Sequence, residues 1–180
     1  VSSGTLNIGG TVVSGQIAPV TLSGGTLNLN TTNPVTLPSL AMSGGTLAGT
    51  GAVTVTGAFS DTGFSTLSGT GTFTTQGVST VNLAGGSTLL TLTGGKSWIN
   101  QGTLTVEGDD AIYFGFTSGG TNTLINAAGA TLDLSSTSTT PLNYWTGSAT
   151  LSNAGTLNLT VAGAHAIGGG IGFNNTGTVN

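Results

Sequence analysis

Three of the five acidic residues fall within four positions, Glu107, Asp109 and Asp110, directly after the alternating segment Leu104 to Val106. Carboxylates clustered in this way could hold Ca²⁺ through oxygen ligands, or act as the paired acids of a glycan-cleaving enzyme. A solvated turn is the plainer reading of the same residues. Polysaccharide cleavage would need further Asp, Lys or Arg on one face, and Lys96 is the only basic side chain. The calcium repeat Gly-Gly-x-Gly-x-Asp is absent, and acids do not recur at a fixed interval. His165 is the single histidine, so it has no second His for a metal or a proton relay. A Ser-His-Asp set drawn from His165, Asp133 and a serine lacks the Gly-x-Ser-x-Gly elbow that exposes a nucleophile. We therefore expect no enzyme and no cofactor, with Glu107, Asp109 and Asp110 as the only weak metal candidates.

Aromatic side chains are the second feature with chemical potential. Trp98, then Tyr113, Phe114 and Phe116, then Tyr144 and Trp145 cluster in the second half of the chain. Exposed rings of this kind stack on sugars or anchor a protein partner. These six residues are the candidate ligand-binding set, against the alternative that they pack inside a wide interior. Tyr113 to Phe116 and Leu142 to Trp145 are expected on one side of neighbouring repeats, forming a contiguous patch.

Composition narrows the classes. Charged residues make up 3% of 180 positions, against roughly 25% in ordinary soluble domains. Abundant Thr, Val and Leu argue against disorder, which needs high charge and few β-branched residues. One basic residue cannot replace the counterions of a nucleic acid, so that partner is excluded. No apolar run approaches the roughly 18 residues of a membrane helix, so no membrane insertion by this segment is expected. The absence of cysteine is compatible with export through an oxidising compartment.

Short units recur and supply the elements that must position these residues. Gly4-Thr5-Leu6-Asn7-Ile8, Gly25-Thr26-Leu27-Asn28-Leu29 and Gly45-Thr46-Leu47 place Leu6, Leu27, Leu47 and Leu67 at intervals of 20 or 21 residues. In the second half the marker is Asn, a short spacer and Gly, as in Asn100-Gln101-Gly102, Asn126-Ala127-Ala128-Gly129, Asn153-Ala154-Gly155 and Asn174-Asn175-Thr176-Gly177. Each unit alternates apolar and polar residues with period two, as in Thr103-Leu104-Thr105-Val106, the pattern of a half-buried strand. Frequent glycine disfavours helix, and Gly or Asn serves the corners.

The expectation is a single right-handed parallel β-helix (β-solenoid), all-β, closing every 20 to 27 residues. Residues 1–99 would form shorter coils, and residues 100–180 longer coils with inserted aromatic elements in Asp109 to Ser118 and Ser135 to Trp145. Ala, Val and Leu would fill a narrow, dry interior. Asn7, Asn28 and Asn158 are expected at one strand position, as a ladder of exposed amides with Asp133 in the same register. Thr-x-Thr pairs such as Thr72/Thr74 raise ice binding, yet they are no commoner than composition dictates and show no fixed place in the coil. Open ends of such a rod permit end-to-end self-association.

The runs Asn-Gln-Gly-Thr-Leu-Thr-Val from Asn100, Asn-Ala-Gly-Thr-Leu-Asn-Leu from Asn153 and Asn-Asn-Thr-Gly-Thr-Val-Asn from Asn174 resemble passenger repeats of large Gram-negative secreted adhesins. These are the filamentous-haemagglutinin-like two-partner-secretion exoproteins and autotransporter passengers. Val1 to Gly15 is similar to autotransporter strand repeats. The resemblance implies a segment of a longer, secreted or cell-surface protein whose β-helical stalk displays adhesive elements. It implies a host or neighbouring-cell glycan or surface protein as partner, and it assigns no functional residue.

Overall fold

Alternating Leu or Val with Thr produces strands with one apolar edge, and such strands bury that edge only against copies of themselves. The computed structural model of the chain, which describes residues 1–13, 17–85 and 89–180, is accordingly all-β and every strand pair in it is parallel. The chain winds into a β-solenoid of about eight turns with about 22 residues per turn. Each full coil lays down three strands, one on each of three faces.

The first face carries Phe59–Asp61, Val78–Val81, Thr103–Val106, Thr131–Leu134, Thr156–Leu159 and Thr178–Val179. The second carries Thr5–Gly10, Ser65–Ser68, Leu90–Thr93, Ile112–Phe114 and Leu142–Tyr144. Two long strands, Val20–Thr31 and Leu40–Ala48, run around the corner between these faces and join them in one 13-stranded sheet. The third face is a separate sheet of seven strands: Val35–Leu37, Val53–Val55, Thr72–Thr75, Ser97–Asn100, Thr121–Asn126, Ser148–Asn153 and Ile171–Asn175.

Register explains the repeats. Leu6, Leu27, Leu47 and Leu67 form one column on the second face. The later Thr-Leu units at 103–104, 131–132 and 156–157 stack on the first face instead. What reads as one repeat is therefore two, placed on different faces. Asn7 and Asn28 are bonded at 2.9 Å on the second face, but Asn158 belongs to the first-face column Asp133–Asn158–Asn180. The expected single ladder is corrected to two, with Asp133 in register with Asn158 as anticipated. The segments 109–118 and 135–145 each contain a second-face strand, so the extra residues lie only in the flanking corners. Of the segment similar to autotransporter repeats, Ser14 and Gly15 lie outside the described residues.

The interior is neither narrow nor wholly aliphatic. Phe59, Phe73 and Trp98 meet edge to face or tilted, with centroids 5.2 to 5.5 Å apart, across the first and third faces. The N-terminal end of this core is closed by Ile8, Val12 and Ile17 over a void of about 50 Å³. At the C-terminal end a cavity of about 400 Å³ opens between Leu134, Leu157, Leu159, Ile167, Ile171 and Phe173.

Candidate functional site

The six candidate aromatics separate into two groups. Trp98 and Phe114 are fully buried. Trp98 pairs in register with Phe73 and Leu124, so it points inward, and its Nε1 donates to Thr75 Oγ1 at 3.1 Å. Phe114 stacks below Leu92 in the same way. Period-two alternation places both inside, and neither reaches a ligand.

Tyr113, Phe116 and Trp145 gather outside the second face, whereas Tyr144 stands in register with the inward Phe114 and packs against the core. Phe116 is the hub: its ring lies 5.1 Å from Trp145, 6.4 Å from Tyr113 and 6.3 Å from Phe64, all edge to face. The expected contact between the two aromatic segments is thus present, and Phe64 joins it. A lone Phe between Gly63 and Ser65 carries no periodic signal, which is why sequence reasoning passed it over.

Backbone geometry sets this cluster. Gly115 has φ +80°, and a Cβ there would lie 1.8 Å from the Thr146 carbonyl oxygen. The chain therefore turns sharply after Phe114 and swings residues 116–120 back over the sheet. Thr93 Oγ1 donates to the Ser118 carbonyl and holds that loop. Beneath the rings Thr91, an outward position, is only 1% exposed, with its hydroxyl on the Tyr113 carbonyl at 3.2 Å. Trp145 remains 59% and Phe64 47% exposed. Tyr144 turns away: its hydroxyl donates to Gly147 O at 3.0 Å, and its ring occupies the space a Cβ on Gly170 would need.

The acidic trio does not converge. Glu107 accepts from Asn82 Nδ2 at 3.0 Å, Asp109 is exposed, and Asp110 is buried with its carboxylate accepting from Leu83 N at 2.6 Å. Burial, and then the neighbouring Asp109 and Glu107 charges, push the Asp110 carboxyl above its ordinary range. Among the described residues no group of three or more metal-ligating side chains is assembled. His165 stands at the rim of the C-terminal cavity, with Nδ1 donating to the Ser138 carbonyl at 2.8 Å and Nε2 buried without a partner.

Two buried polar systems escaped sequence reasoning. Asp61 occupies an inward position between Met42 and Val81, where Oδ1 accepts from Ser65 Oγ at 2.7 Å and Oδ2 has no partner. Burial pushes its carboxyl up to about 7. Phe59-Ser60-Asp61 alternates inward and outward, so strict period two pointed to it.

The second system is the Asn marker. Asn100, Asn126, Asn153 and Asn175 are not residues of positive φ at corners but strand ends stacked in one third-face column. Each Nδ2 donates to the next Oδ1, at 2.9, 2.8 and 2.7 Å. The same Nδ2 atoms reach the carbonyls of Thr131, Thr156 and Thr178, the first residues of later first-face strands.

Comparison of the chain with protein-family models, curated proteins and solved structures finds no match. No helix is long and apolar enough to cross a membrane among the described residues.

Proposed function

We propose that this chain is a stalk segment of an exported bacterial surface or secreted adhesin, built for extended display rather than catalysis. The observation that carries the reading is that coil after coil repeats the same three-strand turn, so added chain becomes added axial length at about 4.8 Å per coil. Its outward positions are mostly Thr, Ser and Asn, which solvate the rod without attracting charged ligands. The resemblance of the Asn-x-Gly-Thr-Leu units to adhesin passenger repeats supports the same role.

Any adhesive contact in this segment belongs to the exposed edge of the aromatic cluster, Trp145 and Phe64 flanking Phe116. The rings themselves carry no charge, which suits a neutral glycan or an apolar protein patch. The test is a binding screen of the purified chain against glycans and extracellular-matrix proteins, beside the variant Phe64→Ala/Trp145→Ala. Saturable binding that the variant loses makes the segment adhesive. A well-folded chain that binds nothing is a stalk only, and cleavage of any glycan in the panel would refute both.

A further inference from the structure

Phe64 takes its place in the outer aromatic cluster from a corner that a buried acid holds together. Between the strands Phe59–Asp61 and Ser65–Ser68 the chain turns through Thr62, Gly63 and Phe64, leaving Phe64 outside while Gly63 and Ser65 on either side of it are buried. Asp61 Oδ1 accepts from Ser65 Oγ at 2.7 Å and from Gly63 N at 3.4 Å, so one carboxyl grips the residues immediately before and after Phe64. A Cβ on Gly63 would collide with the Ser43 carbonyl, so the turn is pressed against the coil above it.

That acid is costly to ionise. Its side chain is fully buried, Oδ2 has no partner, and its neighbours in register are Met42 and Val81. The one charge that reaches it is that of Asp110, from the corner two coils on, where Asp109 and Glu107 stand beside Asp110. All of these are acids. Lys96, the only basic side chain, is engaged with the Gly71 carbonyl. A protonated Asp61 keeps Oδ1 for Ser65 and Gly63 and carries no charge, whereas an ionised one leaves a bare oxygen and no counter-ion. Relief is close at hand, because Thr62 and Phe64 are exposed and unwinding residues 61–65 brings the carboxylate to water.

We propose that ionisation of Asp61 opens this corner and withdraws Phe64 from the rings, so that the outer cluster is a pH-responsive surface, complete in mild acid and loosened toward neutrality. The proposal rests on the adhesive reading of the cluster for its use, while the coupling is a property of the corner itself. Burial holds the carboxyl up at about 7 in the closed corner against an ordinary 3.8. Opening therefore releases a proton within that interval. It becomes easier by up to about tenfold per pH unit as pH rises from about 4 to about 7, and levels off above. Phe64 lies 6.3 Å from Phe116, and Phe116 lies 5.1 Å from Trp145, so the loss of Phe64 is passed to the most exposed ring.

The experiment follows the full chain from pH 5 to pH 8 by two readouts. Hydrogen exchange is measured at the Thr62 and Ser65 amides, which bond to the Met42 and Leu89 carbonyls, and is divided by the intrinsic rate at each pH. Iodide quenching reports Trp145, since Trp98 is sealed in the core. Expected are a fall in protection of about tenfold or more between pH 5 and pH 7, a level course above, and quenching that rises along the same curve. Asp61→Asn, which still accepts from Ser65 and cannot ionise, holds both readouts level. Phe64→Ala keeps the amide response and loses the quenching response, which separates opening of the corner from its passage to Trp145. Circular dichroism establishes that each variant is folded, and the wild-type curve decides by itself if one is not. Protection that stays constant from pH 5 to pH 7 overturns the proposal, as does a wild-type response in Asp61→Asn. Equal protection at Ser65 and at the distant Ala127 and Thr156 amides would mean that the corner opens only with the whole rod, and would equally overturn it. No ligand enters these measurements, so their failure leaves the adhesive reading to its own binding screen, and a chain that binds nothing there leaves the coupling standing.

Discussion

One inward column of the third face is filled in two ways along the rod. In the N-terminal coils it holds Leu37 and Val55; after Thr75 it holds Asn100, Asn126, Asn153 and Asn175. The apolar stretch gains from burial, which is strong but indifferent to direction. The amide stretch gains from hydrogen bonds that require alignment, and each Nδ2 also grips the corner through which the chain passes from third to first face. The two regions differ correspondingly in coil length. Partners along this column are 18 residues apart from Leu37 to Val55 and 20 from Val55 to Thr75, whereas the ladder steps are 26, 27 and 22 residues. The lengthening begins one step before the ladder, with the 25 residues from Thr75 to Asn100, and the amides then hold register at one corner while the other two carry the extra residues.

The sharpest way to break this comparison is Asn126→Ala. It strands Asn153 Oδ1 and the Thr156 carbonyl and takes one acceptor from Asn100, and both Asn100 and Asn153 are buried. With about 1–3 kcal/mol for each buried unsatisfied group, the expected loss is about 4 kcal/mol, read as a lowered urea midpoint. Hydrogen exchange should quicken at Ala127 and Thr156, whose amides bond across this corner. Replacing Asn100, Asn126 and Asn153 together by Val removes the amide donors and acceptors between them at once and leaves the Thr131, Thr156 and Thr178 carbonyls and Asn175 Oδ1 without these donors. That triple variant should lose less than three times the single change, because the Asn100–Asn126 and Asn126–Asn153 bonds lose both partners together; additive losses would mean the ladder is not a unit.

Leu37→Ala probes the other region. A cavity in an apolar column should cost about 3 kcal/mol. Coils couple only to neighbours, so exchange at Ala127 and Thr156 should stay at wild-type rates. A change there would show that the two regions are not separable.

Much of this division was legible in the sequence and part was not. Thr103-Leu104-Thr105-Val106 gives strand and inward edge from period two alone. That signal is the same for every face, so the Thr-Leu units of residues 26–27 and 103–104 look alike although they lie on different faces. Trp98 between Ser97 and Ile99 could be placed inward only once one neighbour's direction was known. For Asn126, polarity argued for the surface, and its burial depends on partners 26 and 27 residues away that a local pattern does not contain. The outer cluster was half legible: Phe116 and Trp145 follow their strands by two residues or fewer, whereas Phe64 comes from a coil two turns earlier.

Titration offers a smaller test, on two buried groups flanking the boundary between the regions. Asp61 is held up at about 7 against an ordinary 3.8, so the folded state binds a proton that the unfolded state has released. Its contribution favours folding at low pH and is lost as pH rises from about 4 to about 7. Burial lowers Lys96 to about 8 from 10.5, so in that window the unfolded state holds the extra proton and stability rises with pH. Stability should therefore pass through a minimum near pH 7 to 8. In urea titrations Asp61→Asn should remove most of the acid limb, leaving the share that comes from the raised Asp110 carboxyl, and should keep the alkaline limb in place. A midpoint flat between pH 4 and 7 in the wild type would show that Asp61 ionises normally.

The smallest expected effect lies where the regions meet outside the core. Phe116 of a C-terminal corner touches Phe64 of an N-terminal coil, so it joins what the interior column divides. Removing its ring uncovers Thr91 and frees Trp145, both surface changes. Phe116→Ala should cost about 1 kcal/mol, in line with an aromatic contact that is only half buried. Trp98 is the sole other indole and is sealed in the core. Any change in iodide quenching therefore reports Trp145, and it should increase in the variant while far-ultraviolet dichroism stays constant. A loss of 3 kcal/mol or more would instead make the rings a second core that couples the two regions, and exposure at Trp145 would then be incidental to packing.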